Sequence, residues 1–434
     1  MNVEMQSVPF DPADPKAPLA QLPHSPAVFA LHGADPKDEP YIGRTPNLRG
    51  RLERLLQPSP KHPRRLQLAG RVRRIAYRLT GSDFESLLTQ FEMLQEVYGP
   101  KALERMHLRA PAFVRFLGNN PYPRVTVTNK PSQREADWAY GPFASRAAAE
   151  RFAEEMLKLF LLRRCTDDLN PDPSHPGCVY SEMKMCLAPC YKGCTDERYA
   201  EESGAVRDFL ATRGESKLVV LRSRRDKASE DLAFEDAAAL HAQVQKVDAV
   251  RALAPELVQP MSKLRAAILQ ASANADEVAV FLYEDGQLRG PVPFSTIGMR
   301  IQNEQSGSSS LFAQPMALEP VPEILVNSEQ WSADSEQAPE TRDQRSGALS
   351  KIPRTLLEAR MEAVLEDLSK PMDKPGTVLR QGHLALLKRW YYRPGVKREG
   401  EIVFPDEEGH LPVRTLLRAA GRVAAKKLAV AKPQ

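Results

Sequence analysis

The sequence predicts an α+β protein built from several domains. Its 434 residues exceed the roughly 100 to 200 residues of one ordinary domain. Short strand-like segments alternate with amphipathic helical segments, and 37 prolines against 15 phenylalanines indicate several irregular linking stretches. No run of about 18 apolar residues is present, and the first residues lack the pattern of a secretion signal. We therefore expect a cytoplasmic protein that does not interact with membranes.

The first ordered unit is predicted over residues 22–105. Residues 1–21 have no hydrophobic periodicity and are interpreted as a disordered leader. Two short strands, at 27–31 and 40–43, precede an amphipathic helix that begins after Asn47, a residue type favoured at helix N-caps. These elements indicate a small sheet with a basic helix beside it.

A further strand and helix complete this unit. Residues 71–79 have the composition of a strand. Ser82, with Glu85 three residues later, matches a capping box that opens a helix over 84–97. The unit therefore resembles a small α/β sandwich in its order of elements.

The segment from Arg44 to Arg78 carries eleven Lys or Arg residues against one acid, Glu53. Such charge density is expected of a surface that displaces counterions from nucleic-acid phosphates, although a solvated basic helix face has the same composition. We therefore predict a DNA-binding surface. Its candidate contacts are Arg49, Arg54, Arg64, Arg65, Arg71, Arg73 and Arg74.

Two predicted domains follow, a mostly helical cysteine-rich one over 106–213 and a helical hairpin over 214–253. The expected elements are a strand at 122–128, a turn at 138–143, helices at 145–160 and 198–213, and a broken helix at 217–252.

The last part of the chain contains a β-hairpin segment, a linker and a small domain. A hairpin within 254–302 is predicted to turn at Asp285-Gly286. Residues 303–350 have the composition of a disordered linker, and 351–434 form a small α+β domain that begins with a helix at 354–369. In this domain Trp390-Tyr-Tyr-Arg393 either stacks on bases or, as is more usual for aromatic side chains, belongs to a core.

All five cysteines lie within 30 residues, at Cys165, Cys178, Cys186, Cys190 and Cys194. Because a cytosolic chain seldom holds disulfides, this clustering favours a soft metal, either structural zinc or a [4Fe-4S] cluster. No Cys-x-x-Cys pair is present, which disfavours ordinary structural zinc. Buried or spare thiols are the alternative.

The cysteine region resembles the linker region of the UvrC excinuclease family in the order and spacing of its motifs. These motifs are Tyr140-Gly-Pro-Phe143, Phe160-Leu-Leu-Arg-Arg-Cys165, Cys178-Val-Tyr180, Cys186-Leu-Ala-Pro-Cys190 and Tyr199-Ala-Glu-Glu202. The resemblance implies that Cys165, Cys178, Cys186 and Cys190 hold an iron-sulfur cluster. Cys194 has no counterpart.

The segment after it resembles the UVR motif, the helical hairpin with which UvrC docks on the UvrB helicase. The resemblance implies a UvrB-like partner for residues 217–252, whereas periodicity alone also fits a plain structural hairpin. Small and branched residues are expected to form the contacts between its two helices. They are Leu232, Ala237, Ala238, Val244 and Val247.

The first unit resembles the GIY-YIG nuclease core. Such a site needs a base for water, a divalent cation and a positive charge near the phosphorus. By resemblance, Tyr41, Arg44 and Arg51 are catalytic, Phe29 replaces the other motif tyrosine, and Gln90 replaces the glutamate that binds Mg²⁺ or Mn²⁺.

Two of these substitutions affect the expected chemistry. Phe29 has no hydroxyl, and the carboxamide of Gln90 binds Mg²⁺ far more weakly than a carboxylate does. Glu92 and Glu85 lie about 200° and 140° round the helix from Gln90, so neither replaces the missing carboxylate easily.

Two hypotheses therefore stand. The first is a metal-dependent endonuclease that cuts one DNA strand in nucleotide excision repair, on a shortened plan similar to Cho, the stand-alone member of the family. The second is a catalytically degenerate accessory protein that binds DNA and UvrB. We find no sequence signature of the second UvrC nuclease or of its helix-hairpin-helix module.

Overall fold

The computed structural model describes residues 5–35, 37–56, 68–166, 169–300, 319–320, 354–373 and 375–431. The strands are β1 Gln6–Pro9, β2 Ala27–His32, β3 Tyr41–Thr45, β4 Arg74–Leu79, β5 Ala112–Phe116, β6 Val125–Thr128, β7 Ala139–Phe143, β8 Gln259–Pro260, β9 Ala266–Ala271, β10 Glu277–Glu284, β11 Gln287–Ser295, β12 Met299–Arg300, β13 Glu319–Pro320 and β14 Glu401–Val403.

The helices lie between and after these strands. They are α1 Lys16–Ala20, α2 Leu48–Leu56, α3 Asp83–Tyr98, α4 Lys101–Arg105, α5 Arg146–Leu157, α6 Val179–Glu182, α7 Asp196–Ala211, α8 Glu215–Glu230, α9 Phe234–Ala252, α10 Arg354–Ser369, α11 Thr377–Tyr391 and α12 Val413–Ala431. The α+β class predicted from the sequence is confirmed. Among the described residues, no helix is long and apolar enough to cross a membrane.

The N-terminal unit is an antiparallel sheet in the order β1-β4-β2-β3, with α2 packed on one face and α3 on the other. The two faces follow from the alternation of side chains along β2: Phe29 packs with the leucines of α2, while Val28 and Ala30 pack with Met93 of α3. The predicted start of α2 is confirmed, since Asn47 Oδ1 accepts the backbone N–H of Gly50 at 2.9 Å.

The predicted disordered leader is wrong for the described residues 5–21. Strand β1 pairs antiparallel with β4, so that Val8 lies opposite Ile75. Phe10, Leu19 and Leu22 are each at most 3% exposed and join the core beneath α2. Strand β1 has four residues and helix α1 has five, so neither is long enough to show a hydrophobic period in the sequence. Tertiary contacts stabilise both elements.

The middle unit contains a second antiparallel sheet, β6-β5-β7-β8, and is therefore less helical than the sequence predicted. Residues 138–143 are interpreted as a turn in the sequence, but Ala139–Phe143 form strand β7, and each of its five residues is buried. The Gly-Pro pair produced the error, because it is a strong turn signal in the sequence. Gly141 is required here for close approach, since an added Cβ would lie 2.5 Å from Phe113 Cδ1.

The predicted segments 254–302 and 351–434 share one sheet rather than forming separate domains. Its order is β11-β10-β9-β14, and Ile402 of β14 pairs with Ile268 of β9. The hairpin β10–β11 turns as predicted at Asp285 and Gly286, which have φ of 52° and 79°. Apart from residues 319–320, the predicted linker 303–350 lies outside the described residues.

Helix α3 connects the N-terminal and C-terminal units through one hydrophobic cluster. Phe84 of α3 lies with its ring centroid 5.2 Å from that of Phe281 on β10 and 5.4 Å from that of Trp390 on α11. Gly382 of α11 meets Phe91 so closely that an added Cβ would lie 1.9 Å from the ring. The helix that carries Gln90 is therefore enclosed by a sheet on one side and by the C-terminal unit on another.

Candidate nuclease-like site and cysteine cluster

Phe29 and Tyr41 lie side by side on the face of the sheet that packs against α2. Their ring centroids are 6.2 Å apart. Phe29 pairs with Gly43 on β3, where an added Cβ would lie 2.8 Å from the Phe29 ring, so a glycine is needed beneath it. Phe29 is 1% exposed and Tyr41 is 44% exposed. Of this pair, only Tyr41 offers a hydroxyl, and its side chain is accessible to solvent.

Arg44 lies on the opposite face of the sheet. It pairs with Val28, whose side chain packs toward α3, and its guanidinium forms an ion pair with the carboxylate of Asp83 at the first turn of α3. Asp83 also accepts a 2.5 Å bond from Arg393, which follows α11. The alternation of side chains along β3 therefore separates Arg44 from Tyr41, although only two residues lie between them in the sequence.

Two arginines hold the Asp83 carboxylate in its ionised form. Burial alone would raise the pKa of Asp83, but the hydrogen bond from Arg393 and the charges of Arg44 and Arg393 lower it below its usual value. Sequence reasoning missed both Asp83 and Arg393. An acidic residue in the first turn of a capped helix is a favourable but common feature, and the sequence carries no signal for its partner 310 residues away.

The carboxylates near Gln90 on α3 serve the fold. Glu85 is 5% exposed and accepts the backbone N–H of Gly81 at 2.8 Å, and burial raises its pKa. The predicted capping box is thus half formed, since Ser82 caps Glu85 as expected while Glu85 bonds to Gly81. Burial also raises the pKa of Glu92 to about 7, against the opposing charge of Arg78.

Gln90 itself is partly buried on α3. Among the residues that the structure describes, no group of three or more His, Cys, Asp or Glu side chains is arranged to hold a metal ion.

The basic residues of the N-terminal unit differ in their availability. Arg51 on α2 is exposed, as are the arginines at 54, 71 and 74. Arg49 bonds to the carbonyls of Leu22 and Ala20, and Arg73 Nη1 donates to the carbonyls of Gly70 and Val72 at 2.7 and 2.8 Å. Arg64 and Arg65 lie outside the described residues. An exposed basic surface remains, although two of its predicted members also serve the fold.

Four of the five cysteines lie close enough to influence one another electrostatically. The pKa of Cys186 is raised to about 11, first by burial and then by the neighbouring thiols of Cys165, Cys178 and Cys190. The fifth thiol stands apart, since burial and the charge of Asp196 raise the pKa of Cys194. The spatial grouping thus separates the same four cysteines that the family resemblance selects.

The surroundings of these thiols contain N–H donors that favour a thiolate. The backbone N–H of Ala188 donates to Cys186 Sγ at 3.3 Å, and Arg163 Nη1 lies 3.7 Å from Cys165 Sγ. The donor set therefore suits a soft metal centre. In the described arrangement the thiols are free and are not drawn together to the spacing of a metal site.

The predicted helical hairpin is present as α8 and α9. Val244 and Val247 are buried between the helices, as expected. Leu232, by contrast, is 71% exposed at the tip, where its φ of 61° marks the turn, and Ala237 and Ala238 are not buried. The expectation that Leu232 and Ala238 form contacts between the helices is wrong, whereas Ala237 is partly buried. Phe234, 65% exposed, completes an apolar tip that sequence reasoning did not single out.

The aromatic motif of the last unit belongs to the core. Trp390 is 2% exposed and its indole N–H donates to the carbonyl of Glu399 at 2.9 Å. Tyr392 reaches the middle unit, where its hydroxyl donates to the carbonyl of Pro142 at 2.9 Å. This motif therefore holds units of the fold together and does not provide a surface for stacking on bases.

Comparison with known proteins relates the middle unit to a family. Residues 113–209 match the family described as UvrC/Cho excinuclease, middle domain. The UvrABC system protein C of Rickettsia bellii is 25% identical over 290 residues, which cover 64% of this chain and 43% of the relative. The protein of the same name from Alcanivorax borkumensis is 28% identical over 238 residues, 55% of this chain and 39% of the relative.

A third relative covers more of the chain. The UvrABC system protein C of Pseudomonas protegens is 26% identical over 315 residues, 73% of this chain and 48% of the relative. The chain therefore spans about two fifths to one half of the length of the curated relatives it matches. No solved structure gives a significant match. The family resemblance predicted from the cysteine motifs is confirmed.

Proposed function

Because this chain is a UvrC-like protein, we propose that it acts in nucleotide excision repair as an accessory protein that binds DNA and a UvrB-like helicase but cuts DNA poorly. The observation that carries the second half of this proposal is the ion pair of Arg44. Its guanidinium is held by the carboxylate of Asp83.

The chemistry of phosphodiester hydrolysis supports the same conclusion. Cleavage needs a base for water, a divalent cation and a positive charge close to one phosphate. Phe29 supplies no hydroxyl beside Tyr41, Gln90 supplies no carboxylate, and the guanidinium of Arg44 is paired with Asp83. These three departures affect different parts of the mechanism, so restoring one of them does not restore the reaction.

The exposed hydroxyl of Tyr41 favours a second candidate, a metal-dependent endonuclease that cuts one strand with Mg²⁺ or Mn²⁺. Tyr41 is 44% exposed, and Arg51 is exposed on the helix that packs on the same face of the sheet. In this candidate Tyr41 activates the water and Arg51 binds the phosphate.

An incision assay distinguishes the two candidates. Damaged duplex is incubated with a UvrB-like helicase and with Mg²⁺ or Mn²⁺, and the wild type is compared with Gln90→Glu, Phe29→Tyr and Tyr41→Phe. The accessory proposal predicts no incision by the wild type and none by either single restoration. Robust wild-type incision that Tyr41→Phe abolishes would overturn it in favour of the endonuclease.

The proposed DNA surface is formed by the exposed arginines of the N-terminal unit. Each phosphate contact releases counterions, so DNA affinity weakens as the salt concentration rises. The slope of the logarithm of the DNA association constant against the logarithm of salt concentration becomes less steep by roughly one unit for each contact that is lost. We expect Arg51→Gln and Arg74→Gln each to make this slope less steep. Arg49→Gln loses its bonds to Leu22 and Ala20 and should reduce stability more than DNA affinity.

The proposed UvrB-like partner docks on the tip of the α8–α9 hairpin. Leu232 and Phe234 are both exposed there, which is unusual for large apolar side chains that are so close together. Leu232→Ala with Phe234→Ala should abolish capture of the helicase. Val219→Ala is the matched control, because Val219 is exposed on α8 away from the tip. Equal loss in both variants would count against docking at the tip.

We further propose that Cys165, Cys178, Cys186 and Cys190 hold a [4Fe-4S] cluster, with zinc as the alternative. When bound, either centre would supply a cross-link between the loop and the helices around it. Protein purified without oxygen should show the broad visible absorption of an iron-sulfur cluster. Cys186→Ser should remove this absorption, whereas Cys194→Ser should not. A colourless wild type that contains stoichiometric zinc would favour the alternative.

A further inference from the structure

One arginine is buried beside the four thiols of the cysteine cluster. Arg163 is 1% exposed and lies two residues before Cys165, in the segment that follows α5. A guanidinium keeps its proton in a protein, so its burial is costly unless acceptors or anions surround it. The reason for burying Arg163 therefore lies in the groups that it contacts.

The side chain of Arg163 donates to two acceptors on different segments of the middle unit. Nε donates to the carbonyl of Tyr122 at 3.0 Å, and Nη1 donates to Cys165 Sγ at 3.7 Å. The second distance suits a hydrogen bond to sulfur, because a sulfur atom is larger than an oxygen atom. The planar fork of a guanidinium holds two such acceptors at once, which the single ammonium of a lysine does less well.

A buried tyrosine fixes the backbone of Arg163. Tyr199 on α7 is 1% exposed, and its hydroxyl accepts the backbone N–H of Arg163 at 3.3 Å. The same hydroxyl donates to the carbonyl of Pro123 at 2.8 Å. The ring centroids of Tyr199 and Tyr122 are 5.5 Å apart, in an edge-to-face arrangement. The backbone and the Nε of Arg163 are therefore both held by the middle unit, with Nη1 directed at Cys165.

The same network lies close to a second thiol. Burial raises the pKa of Tyr199, and the thiols of Cys186 and Cys165 act in the same direction. Cys186 Sγ accepts the backbone N–H of Ala188 at 3.3 Å. N–H donors therefore meet two of the four sulfur atoms. One donor belongs to the backbone, and the other belongs to a side chain that is always charged.

Hydrogen bonds to sulfur change how a set of thiolates holds a metal centre. Four thiolates bring four negative charges together, and reduction of an iron-sulfur cluster adds one more. An N–H donor stabilises the more negative state, so it raises the reduction potential of the cluster. A group that bonds to a metal ligand also keeps that ligand in place, and its loss typically lowers metal affinity by roughly 10- to 100-fold.

We propose that Arg163 is a positioning residue of the four-cysteine centre, which fixes the Cys165 sulfur for metal binding and raises the reduction potential of a bound cluster. This inference rests on the proposed metal centre and adds to it a residue that is not a ligand. A guanidinium has no acceptor atom to offer a metal, so Arg163 acts only through the sulfur.

The neighbouring Arg164 provides a matched control. Its Nη2 donates to the carbonyl of Leu157 at 2.8 Å, at the end of α5. Arg164→Gln therefore removes a charge of the same type one position along the chain, and the bond that it breaks is to a carbonyl and not to a sulfur atom.

Metal affinity is measured with Co²⁺ alone, added under anaerobic reducing conditions to the full chain from which bound metal has been removed. Thiolates bound to Co²⁺ give a charge-transfer absorption that reports binding. Arg163→Gln should weaken Co²⁺ binding at least about tenfold, whereas Arg164→Gln should bind as the wild type does. Arg163→Lys keeps the buried charge, which favours folding, but loses the planar fork, so it should weaken binding by a smaller factor.

A double-mutant comparison separates action through Cys165 from a general loss of structure. In a Cys165→Ser background, Arg163→Gln should weaken Co²⁺ binding no further. In a Cys190→Ser background it should still weaken binding. An arginine that only stabilised the fold would lower the affinity equally in both backgrounds, and that result would overturn the proposal.

The midpoint reduction potential of the cluster-bound protein is a second readout, which a purely structural role would not move. Arg163→Gln should lower this potential, and Arg164→Gln should leave it unchanged. A wild type that binds neither a cluster nor Co²⁺ through its thiolates would overturn the proposed centre and this inference together. A wild type that binds Co²⁺ no more tightly than Arg163→Gln and Arg163→Lys would overturn this inference alone.

Discussion

Glu92 is expected to make the stability of this protein depend on pH between about 4.5 and 7. Its side chain lies on α3 within the influence of Arg78, and burial raises its pKa from 4.5 to about 7. An acid whose pKa is raised by folding stabilises the fold while it is protonated. This contribution is fully present below pH 4.5 and is lost as the pH rises through 7. The difference of about 2.5 in pKa corresponds to roughly 3 kcal/mol, or about 2 kcal/mol if partial exposure weakens the effect.

Glu92→Gln removes the ionisation while keeping the shape of the side chain. At pH 8 the variant should therefore be more stable than the wild type by about 2 to 3 kcal/mol, and at about pH 4 the two should be equal. The free energy of unfolding is measured by urea denaturation followed by circular dichroism at intervals from about pH 4 to about pH 8. Glu96→Gln, an exposed position on the same helix, is the control and should follow the wild type. Parallel pH profiles for the wild type and Glu92→Gln would refute the reasoning.

Three further predictions concern the contacts around α3 and α11. Gly382→Ala places a methyl group 1.9 Å from the Phe91 ring and should lower stability by about 1 to 3 kcal/mol in thermal unfolding. Gly204→Ala on α7 is the control, because an added Cβ there meets nothing within 4 Å. It should raise stability by up to about 1 kcal/mol. Trp390→Ala should cost about 3 to 5 kcal/mol, while Tyr180→Ala at a 36% exposed position should change stability little. Because the pKa of Asp83 is lowered from its ordinary value of 3.8, its two ion pairs contribute stability above pH 3.8 that is lost as the pH falls through the lowered pKa. Asp83→Asn should therefore flatten the decline in stability at acid pH, and an unchanged decline would contradict this assignment.

Local signals in the sequence predicted the elements whose order depends on a few adjacent residues. The helix predicted at 145–160 is α5, and Ser145 caps it by accepting the N–H of Ala148 at 3.1 Å. Asp285 and Gly286 adopt the positive φ values that a two-residue hairpin requires. Each of these features is fixed by residues adjacent in the sequence, so it can be predicted without knowing the fold.

Elements stabilised by distant partners could not be predicted in this way. Strand β14 has three residues, and it is a strand because Ile402 pairs with Ile268, far away in the sequence. Strand β7 is buried on both faces, so it lacks the alternation of polar and apolar residues by which strands are recognised. The short first strand and helix depend in the same way on the core beneath α2.

The candidate site shows the same division between local and distant information. The motif positions Phe29 and Tyr41 lie on the two strands that the sequence predicted, and Arg44 lies one residue past the predicted end of the second strand. The family resemblance set Cys194 apart from the four cysteines that influence one another. What spacing could not give was the partner of Arg44. Asp83 lies 39 residues away in the sequence and is shared with Arg393, which follows α11.

The C-terminal unit therefore has a direct physical connection to the nuclease-like site. Helix α3 is covered by the sheet of its own unit and by α11, whose Gly382 allows the closest approach to Phe91. Arg393, just beyond α11, shares Asp83 with Arg44, so a side chain that follows the C-terminal helix α11 bonds to the same carboxylate that holds Arg44. One carboxylate cannot neutralise two arginines. Loss of Arg393 would therefore leave Arg44 as the sole cation bonded to Asp83, and Asp83 would hold Arg44 more firmly.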